Sequence, residues 1–382
     1  MCFFVINSLK VNLARTKGKV RKMRFWRWFL GLPPKYEQKP VEKFTISVII
    51  PAYNEERTIA STILSLKNQT RKINEIIVVD DCSDDRTGEI ARSLGAIVLR
   101  PPENQGTKAQ AQNYALPYID TDLMVTVDAD TLLDSNAIER TLSYFSDPDM
   151  ASVCGFVIPQ KITTIWEKGR FIEYLFGLFI FKGAQRNLGV PLVCSGCFSV
   201  FRTDKIKKFG GFQPRTMAED MDLTWEFLSR GEKVEFVPNA YCYPLDPPTF
   251  PIFVAQINRW YRSFFQNISI HKKDIFRNKK LAFFIYWYLL DGLLLPLIIF
   301  FGLYYLTKGN LTWALIWLLV LEFLFVAVPT LIQGWKINKF WLTLKSLPAY
   351  FIIRPVNIFI YYRSFFQEWV LRQKLTAWEK GH

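Results

Sequence analysis

Short apolar runs alternate with amphipathic stretches through the first part of the chain. Four runs of strand length, rich in Ile, Val and Leu, occupy residues 45–51, 75–80, 96–99 and 123–127. Helical patterns lie near residues 56–66, 87–94 and 107–116. Strands that alternate with helices are typical of a mostly parallel sheet covered on both faces. The pattern predicts an α/β fold, in which ligands bind at the carboxyl ends of the strands.

Two much longer apolar runs follow near the end of the chain. Residues 281–306 and 311–332 each exceed the ~20 residues that cross a hydrocarbon layer of ~30 Å. They predict a transmembrane helical hairpin, and two buried helices of a large soluble protein are the alternative. More lysines and arginines flank the outer ends of this pair than its turn. Both ends are therefore expected in the cytoplasm.

These patterns divide the chain into five expected parts. The parts are a basic amphipathic membrane-surface segment, a cytosolic domain, interfacial helices, the transmembrane hairpin and an interfacial or re-entrant segment. They occupy residues 1–40, 41–250, 251–280, 281–332 and 333–382, in that order. We expect a multi-pass protein of the cell membrane whose catalytic domain is cytoplasmic.

The composition fits one soluble domain with a membrane portion. The chain has 382 residues, of which 50% are hydrophobic, and a formal net charge of +14. A positive charge of this size raises nucleic acid as a partner, but the sequence has no zinc-finger or RNA-recognition signature. The basic residues cluster beside apolar runs instead. We therefore expect membrane lipids as partners, and no nucleic acid.

The cysteines and histidines exclude several kinds of site. One CxxC pair, Cys194 and Cys197, has no second pair with which to complete a zinc site. Buried reduced thiols are expected, with a redox role as the alternative. The two histidines, His271 and His382, are both expected outside the globular domain. His-dependent triads and multi-His metal centres are thereby excluded.

Polar residues follow three of the predicted strands. The first strand runs into PAYNEE, the second into DDCSDD and the fourth into DAD. No glycine-rich phosphate loop follows the first strand, which argues against a dinucleotide or P-loop site. Asp128 and Asp130, one residue apart at a strand end, can present oxygens to a divalent cation that bridges a diphosphate. An Asx-turn or a helix cap is the structural alternative.

Two later stretches carry candidate chemistry. Asp220 begins the helical pattern at residues 220–230, where a carboxylate can cap the helix or act as a general base. The stretch QINRW, residues 256–260, precedes the long apolar runs. An arginine and a tryptophan together are typical of an interfacial anchor, and they also suit a binding role.

The motifs VIIPAYNEE, VVDDCSDD, TVDAD, AED and QINRW occur in this order ahead of the predicted hairpin. Together they resemble the processive membrane-bound inverting glycosyltransferases of family 2, the cellulose, chitin, hyaluronan and poly-N-acetylglucosamine synthases. The resemblance covers residues 46–262. It implies a GT-A, Rossmann-like nucleotide-diphospho-sugar transferase domain followed by a small α-helical membrane domain.

The resemblance also implies an activity. A hexose or N-acetylhexosamine would pass from a UDP-sugar to a growing polysaccharide, coupled to export. A lipid-linked acceptor and a non-catalytic membrane scaffold are the alternatives. The chain departs from the family pattern at Ala218, where a threonine is usual, and this puts a hydroxyl of the site in doubt.

Residue roles on the donor side follow from the same resemblance. Tyr53 would stack on the uracil and Asp81 would accept a hydrogen bond from it. Lys108 would lie near the nucleotide. Asp128 would lie near the ribose and the metal, and Asp130 would be the chief ligand of Mg²⁺ or Mn²⁺.

On the acceptor side, the resemblance makes Asp220 the catalytic base. Arg259 would clamp the diphosphate, and Trp260 would be a stacking floor for the acceptor sugar. The remaining candidate substrate-binding residues are Glu55, Cys197, Glu219 and Gln256.

Overall fold

Eight strands form one mixed sheet. The computed structural model describes residues 44–307, 312–373 and 375, and of residues 294–303, 305–307 and 312–319 it describes the backbone only. The strands are β1 (Ile46–Ala52), β2 (Glu75–Asp80), β3 (Ile97–Leu99), β4 (Leu123–Val127), β5 (Leu132–Leu133), β6 (Met150–Val157), β7 (Phe198–Arg202) and β8 (Lys233–Tyr243). Their order across the sheet is β3-β2-β1-β4-β7-β6-β8-β5.

The first half of the sheet has the predicted parallel arrangement. β1 lies between β2 and β4 and is parallel to both, and β3 extends β2 in the same direction. Ala52 at the end of β1 is in register with Asp80 at the end of β2. The polar stretches that follow β1, β2 and β4 therefore leave the sheet at one edge.

The second half departs from the expected mostly parallel sheet. β7 is antiparallel to both β4 and β6, and β5 is antiparallel to β8. The register pairs Phe198, at the start of β7, with Val127, at the end of β4. Because β7 runs in the opposite direction, the loop that precedes it lies beside the polar residues that follow β4.

Helices cover the sheet and continue beyond it. The α-helices are α1 (Ile59–Lys67), α2 (Thr87–Ser93), α3 (Lys108–Ala115), α4 (Glu139–Leu142), α5 (Ile165–Phe176), α6 (Gly183–Leu188), α7 (Thr203–Lys208), α8 (Glu219–Ser229), α9 (Phe250–Ile270), α10 (Lys272–Arg277), α11 (Lys279–Thr307), α12 (Thr312–Lys336) and α13 (Phe340–Phe365). Short 3₁₀ turns occupy Leu116–Tyr118 and Ser143–Ser146, and π-helical turns occupy Gly177–Lys182 and Phe366–Val370.

The core has a separate cluster on each face of the sheet. Successive residues of β1 point to opposite faces, as the strand period of two requires. Ile49 belongs to the cluster that includes Ala111 of α3, whereas Ile50 belongs to the cluster that includes Ile63 of α1. Both faces of the sheet are thus buried, so the polar stretches that follow β1, β2 and β4 lie at the ends of the strands.

The C-terminal part is helical. The turn predicted between the two apolar runs and the predicted surface segment 1–40 lie outside the described residues. Where the structure does describe the chain, no helix has both the length and the apolar composition needed to cross a membrane. Ile353 and Ile360 of α13 pack with Phe253 and Ile257 of α9, which connects this region to the helix that carries QINRW.

Candidate active site

The turn after β1 presents Tyr53. The next residue, Asn54, has a φ of 56°, a left-handed conformation that asparagine tolerates better than most residues. Glu55 is buried, its N–H donates to Thr87 Oγ1 at 2.7 Å, and its carboxylate accepts from Thr58 Oγ1 at 2.7 Å. Glu55 therefore holds the turn that presents the tyrosine.

Two consecutive aspartates end β2 in different environments. Asp80 is buried and pairs with Arg100 at 2.7 Å. Asp81 accepts a hydrogen bond from the backbone N–H of Gln105 at 2.7 Å. Burial raises the pKa of Asp81, although the Gln105 N–H acts in the opposite direction. Asp80 thus supports the loop, and Asp81 lies beside it as a candidate acceptor for a base.

The turn after β4 is built by hydrogen bonds to its backbone and side chains. Thr62 Oγ1 donates to the carbonyl of Ala129 at 2.9 Å, and the Thr131 N–H donates to the carbonyl of Asp128 at 3.0 Å. Thr131 Oγ1 donates to Asp130 Oδ1 at 3.1 Å. The two carboxylates of the predicted cation pair are therefore carried on a fixed turn.

Lys108 lies at the centre of the site. It begins α3, whose N-cap Thr107 accepts from the N–H of Gln110 at 3.3 Å. The Lys108 ammonium contacts the Asp128 carboxylate and lies 3.5 Å from Glu219 Oε1. Burial by itself would lower the pKa of Lys108, but Asp128 and Glu219 outweigh burial and raise it. Lys108 therefore bridges the end of β4 and the start of α8.

Asp220 lies in the first turn of α8 and does not cap it. The N-cap position belongs to Ala218, which makes no side-chain cap. Asp220 Oδ2 accepts from the N–H of Gly196 at 2.8 Å, and Oδ1 accepts from the N–H of Met221 at 2.8 Å. Both carboxylate oxygens of Asp220 are therefore held by backbone N–H groups at the start of α8, and its role as a general base stays a prediction.

Gly196 allows these groups to approach one another. A Cβ atom at this position would lie 2.6 Å from Lys108 Nζ and 3.5 Å from Asp220 Oδ2. The first separation is too short for a side chain unless the lysine moves, whereas the second is an ordinary van der Waals contact. The loop before β7 thus contributes its backbone N–H to Asp220 and leaves space for Lys108.

The charge balance of this cluster suits a divalent cation. Lys108 contacts Asp128, lies 3.5 Å from Glu219 Oε1 and interacts electrostatically with Asp220, so three carboxyl groups face one amine. Burial raises the pKa of Glu219, although Lys108 acts against this. No group of three or more His, Cys, Asp or Glu side chains in the described ranges forms a metal site by itself. A cation on Asp128 and Asp130 would complete its shell with substrate phosphate, as Mg²⁺ usually does.

Trp260 lies on α9 with 36% of its surface exposed. The guanidinium of Arg170 on α5 lies 4.5 Å from the centre of its ring. Cys197 lies partly buried in the loop before β7, with its Sγ 3.9 Å from Cys242 Sγ. Cys194 and Cys197 are both free thiols, so the CxxC pair is not a disulfide here.

Arg259 faces a different part of the structure. It lines a cavity of about 520 Å³ with Asn258, Arg262 and Arg363. Arg262 pairs with Glu368 at 2.7 Å. The described lining of this cavity contains none of the acids at the strand ends. Gln256 lies on the same helix, with its Oε1 buried and unbonded within the described part of the chain.

The expectation that His271 lies outside the globular domain is wrong. His271 is buried at the end of α9, and its Nε2 lies 2.5 Å from Asp222 Oδ1 on α8. Asp222 also accepts two hydrogen bonds from Arg215, both at 2.7 Å. Burial alone would raise the pKa of Asp222, but Arg215 and His271 lower it. This cluster anchors α8, which carries Asp220, to the end of α9, which carries QINRW.

We predict that Asp222→Asn destabilises the fold by about 2 kcal/mol at pH 7, because it leaves His271 without its anionic partner. This loss of stability is smaller than that expected from breaking a fully buried ion pair, because Arg215, the other partner of Asp222, is 42% exposed. The pKa of the Asp222 carboxyl is lower in the folded than in the unfolded protein, so its ionisation stabilises the fold above the unfolded pKa, near pH 4. This contribution is lost as the pH falls through the folded pKa. Thermal unfolding of both proteins from pH 7 to 3 measures the difference.

The control for this prediction is Asp149→Asn, which removes an exposed partner of Lys233. It should change stability by no more than about 0.5 kcal/mol. A deficit of Asp222→Asn that stays constant down to pH 3 would contradict the assignment.

Two residues of the site have no sequence signature that reveals their role. Gly196 lies between the two cysteines of the CxxC pair, but only the position of Lys108 explains why it is a glycine. Arg170 lies in an ordinary amphipathic helix, 90 positions before Trp260. The one signal that could have revealed its role is that Arg170 lies on the buried face of that helix, where an unpaired charge is costly.

Comparisons with known proteins agree with this arrangement. Residues 47–210 match the family described as glycosyl transferase family 2. The chain is 28% identical over 239 residues to poly-beta-1,6-N-acetyl-D-glucosamine synthase of Staphylococcus aureus, covering 61% of this chain and 57% of that protein. It is 30% identical over 279 residues to hyaluronan synthase of Streptococcus pyogenes, covering 66% of this chain and 65% of that protein.

A solved structure shares the fold. The mannosyltransferase PcManGT from Pyrobaculum calidifontis, in complex with GDP-Man and Mn²⁺, aligns with a TM-score of 0.62 at 19% identity. The alignment covers 87% of this chain and 93% of that one. The mixed sheet is therefore a Rossmann-like GT-A fold with a helical C-terminal region.

The chain carries a glycosyltransferase family 2 domain. It is related to the polysaccharide synthases of that family, as the sequence motifs predict. The chain spans less than two thirds of the length of these two curated relatives.

Proposed function

We propose that this chain transfers a hexose or N-acetylhexosamine from a UDP-sugar to a growing polysaccharide, with inversion at the anomeric carbon. The carrying observation is the convergence of Asp128, Glu219 and Asp220 on Lys108. A donor held at the end of β4 would place its sugar beside the carboxylate of Asp220. Inversion requires a single base on the acceptor side, and Asp220 is suited to that role.

The donor would bind at the common edge of β1, β2 and β4. Tyr53 would stack on the uracil and Asp81 would accept its N–H, because an aromatic face with a neighbouring carboxylate suits this base. Asp128 and Asp130 would hold Mg²⁺ or Mn²⁺. When bound, such a cation neutralises charge on the departing diphosphate.

Residues of the chain would activate the acceptor. Asp220 would take the proton from the attacking hydroxyl, and the Gly196 N–H holds its carboxylate at 2.8 Å. Lys108 would exchange part of its contact with Asp128 for the diphosphate, since both are anionic. The clamp role of Arg259 on the diphosphate rests on the QINRW motif alone, because the described lining of its cavity, which includes Arg262 and Arg363, contains no strand-end acid.

We also propose that the protein lies at the cell membrane with its catalytic domain in the cytoplasm. The support is in the sequence, namely the apolar runs at residues 281–306 and 311–332 and the basic residues that flank them. The polymer would leave through the membrane as it grows. Carbonate washing of membranes tests this location, because an integral protein stays in the pellet and a peripheral one is released.

Product analysis tests the transfer itself. Purified full-length protein is given a panel of UDP-sugars with Mn²⁺ and a short oligosaccharide primer, and the products are measured by mass spectrometry. A ladder of added sugars supports the polysaccharide synthase. A single sugar on a lipid acceptor would assign the chain to glycolipid synthesis instead, and no product from any donor would favour a scaffold.

We predict that Trp260→Ala abolishes most transfer while leaving UDP binding nearly intact. The ring is the proposed floor for the acceptor, and a displacement of about 1 Å costs on the order of 100-fold in rate. UDP affinity by calorimetry and transfer per folded molecule are measured on the same preparation.

The matched control is Trp341→Ala, since Trp341 is 70% exposed on α13 and suits an interfacial anchor. If Trp260 is only an anchor, both variants lose stability in detergent and both transfer at the normal rate. That result would end the platform role of Trp260.

A further inference from the structure

Arg170 is an arginine inside the protein. It lies on α5, which begins with a capping box in which Thr164 and Glu167 satisfy each other's backbone N–H groups. Only 2% of the residue surface is exposed. Burial of a charge is costly unless the charge is paired, so the surroundings of Arg170 must compensate for it.

The guanidinium lies between two aromatic rings and two carboxylates. Its central carbon is 4.3 Å from the centre of the Tyr174 ring and 4.5 Å from that of Trp260. Its nitrogen atoms lie 2.5 Å from Glu173 and 3.3 Å from Asp246. The planar guanidinium is suited to such stacking, which an ammonium cannot reproduce.

The pairing with Asp246 is incomplete. Arg170 Nε meets Asp246 Oδ1, but Arg170 Nη2 and Asp246 Oδ2 are buried without a hydrogen-bond partner among the described residues. If Arg170 only neutralised Asp246, a two-bond pair would be expected, because bidentate pairing is the stronger geometry. The guanidinium instead keeps an orientation that covers the ring of Trp260. Buried polar atoms without hydrogen-bond partners need an explanation, and a functional role is one.

The helix that carries Arg170 is held firmly in place. Trp166 packs against Phe250 and Phe253 of α9, with ring centres 5.0 and 5.3 Å apart. Glu173 Oε1 accepts from Asn357 of α13 at 3.1 Å. Because α5 is fixed to both helices, Arg170 offers Trp260 a rigid support.

We propose that Arg170 is a positioning residue that holds the indole of Trp260 as a flat platform for an acceptor glycan. The inference rests on the proposed function for the glycan, whereas the support of the ring is a property of the fold alone. Arg170 covers part of the ring and the 36% of Trp260 that is exposed remains for a sugar. The stacked cation also fixes the angle at which that surface meets the site.

Fluorine NMR tests the support without any activity. The full-length chain is labelled with 5-fluorotryptophan, and the signal of Trp260 among the 12 tryptophans is assigned by its loss in Trp260→Phe. In Arg170→Gln and Arg170→Lys this signal should shift and broaden, while most others stay in place. Arg170→Lys retains the charge and keeps the test possible if the glutamine variant does not fold.

The control is Arg230→Lys. Arg230 is exposed on the protein surface, and its guanidinium lies 4.7 Å from the centre of the Phe209 ring. This substitution should leave the Trp260 signal unchanged. A Trp260 signal with the same position and width in Arg170→Lys as in the original protein would overturn the proposal.

Transfer kinetics distinguish positioning from a structural role. Arg170→Lys should slow transfer on the order of 10-fold and raise the acceptor KM, with the donor KM unchanged. Combined with Trp260→Ala it should add no further loss, because both changes remove the same platform. Full additivity would overturn the proposal. If the original protein transfers no sugar, the proposed function fails, and the fluorine signal alone decides the role of Arg170.

Discussion

Asp220→Asn should reduce sugar transfer on the order of 1,000-fold, the largest loss expected from any single change in the chain. The amide cannot accept the proton of the attacking hydroxyl, and general base catalysis usually contributes between about 100-fold and 10,000-fold. Asparagine has nearly the same shape, and its oxygen can still accept the Gly196 N–H that now lies 2.8 Å from Asp220, so that of the two backbone hydrogen bonds only the one from Met221, in the first turn of α8, is lost. The variant should therefore fold normally and bind UDP with unchanged affinity.

Glu226→Gln is the matched control for this change. Glu226 lies on the same helix and pairs with Arg230 at 2.6 Å. It should lose little activity, since its ion pairs are with Arg215, at 3.6 Å, and Arg230, and neither arginine pairs with Asp220. Transfer by Asp220→Asn within about tenfold of the original rate would show that the base lies elsewhere.

Asp130→Ala should remove cation-dependent release of UDP, with a loss on the order of 100-fold to 1,000-fold. Stabilisation of phosphate charge by a bound cation contributes several kcal/mol, and each ~1.4 kcal/mol is a factor of ten in rate. Asp128 alone would remain as a ligand, and it also contacts Lys108. Binding of Mn²⁺ in the presence of UDP, followed by electron paramagnetic resonance, measures the site independently of turnover.

Asp134→Asn provides the comparison for that experiment. Asp134 lies four residues further along the chain and pairs with Arg140 at 3.3 Å, outside the proposed cation site. It should bind Mn²⁺ as the original protein does. Unchanged Mn²⁺ binding in Asp130→Ala would remove this carboxylate from the proposed ligand set.

The parallel half of the sheet follows from the sequence because its strands are continuous apolar runs. Residues 46–50 and 123–127 are buried, and polar residues follow each run within a few positions. A strand buried in this way must be central, and its end must meet the end of its neighbour. The candidate donor edge could therefore be placed from local pattern alone.

The second half of the sheet is less regular, and the pattern of apolar residues does not predict the direction of its strands. β8 reads KVEFVPNAYCY, with a proline and an asparagine among the apolar residues. Its pairing with β6 also contains irregular register shifts. Because such strands are stabilised by long-range contacts, their direction depends on partners that a local pattern does not contain.

The site itself combines local and distant information. Asp128 and Asp220 are recognisable from their motifs, but their approach depends on Lys108 and on the antiparallel entry of β7. His271 was misplaced because it precedes two lysines next to the predicted membrane segment, whereas in the fold it is buried and contacts Asp222 of another helix. Arg170 beside Trp260 is the same kind of case, since the two residues meet only in the folded chain.

The most direct test of the central claim is release of UDP by the purified full-length protein. It is supplied with Mn²⁺ and a panel of UDP-sugars, alongside GDP-mannose and a reaction with the cation chelated. We predict release from at least one UDP-sugar, loss of that release on chelation, and near-complete loss in Asp220→Asn when an acceptor is present. Release from GDP-mannose alone, or equal release by the original protein and Asp220→Asn, would contradict a UDP-sugar transferase that uses this site.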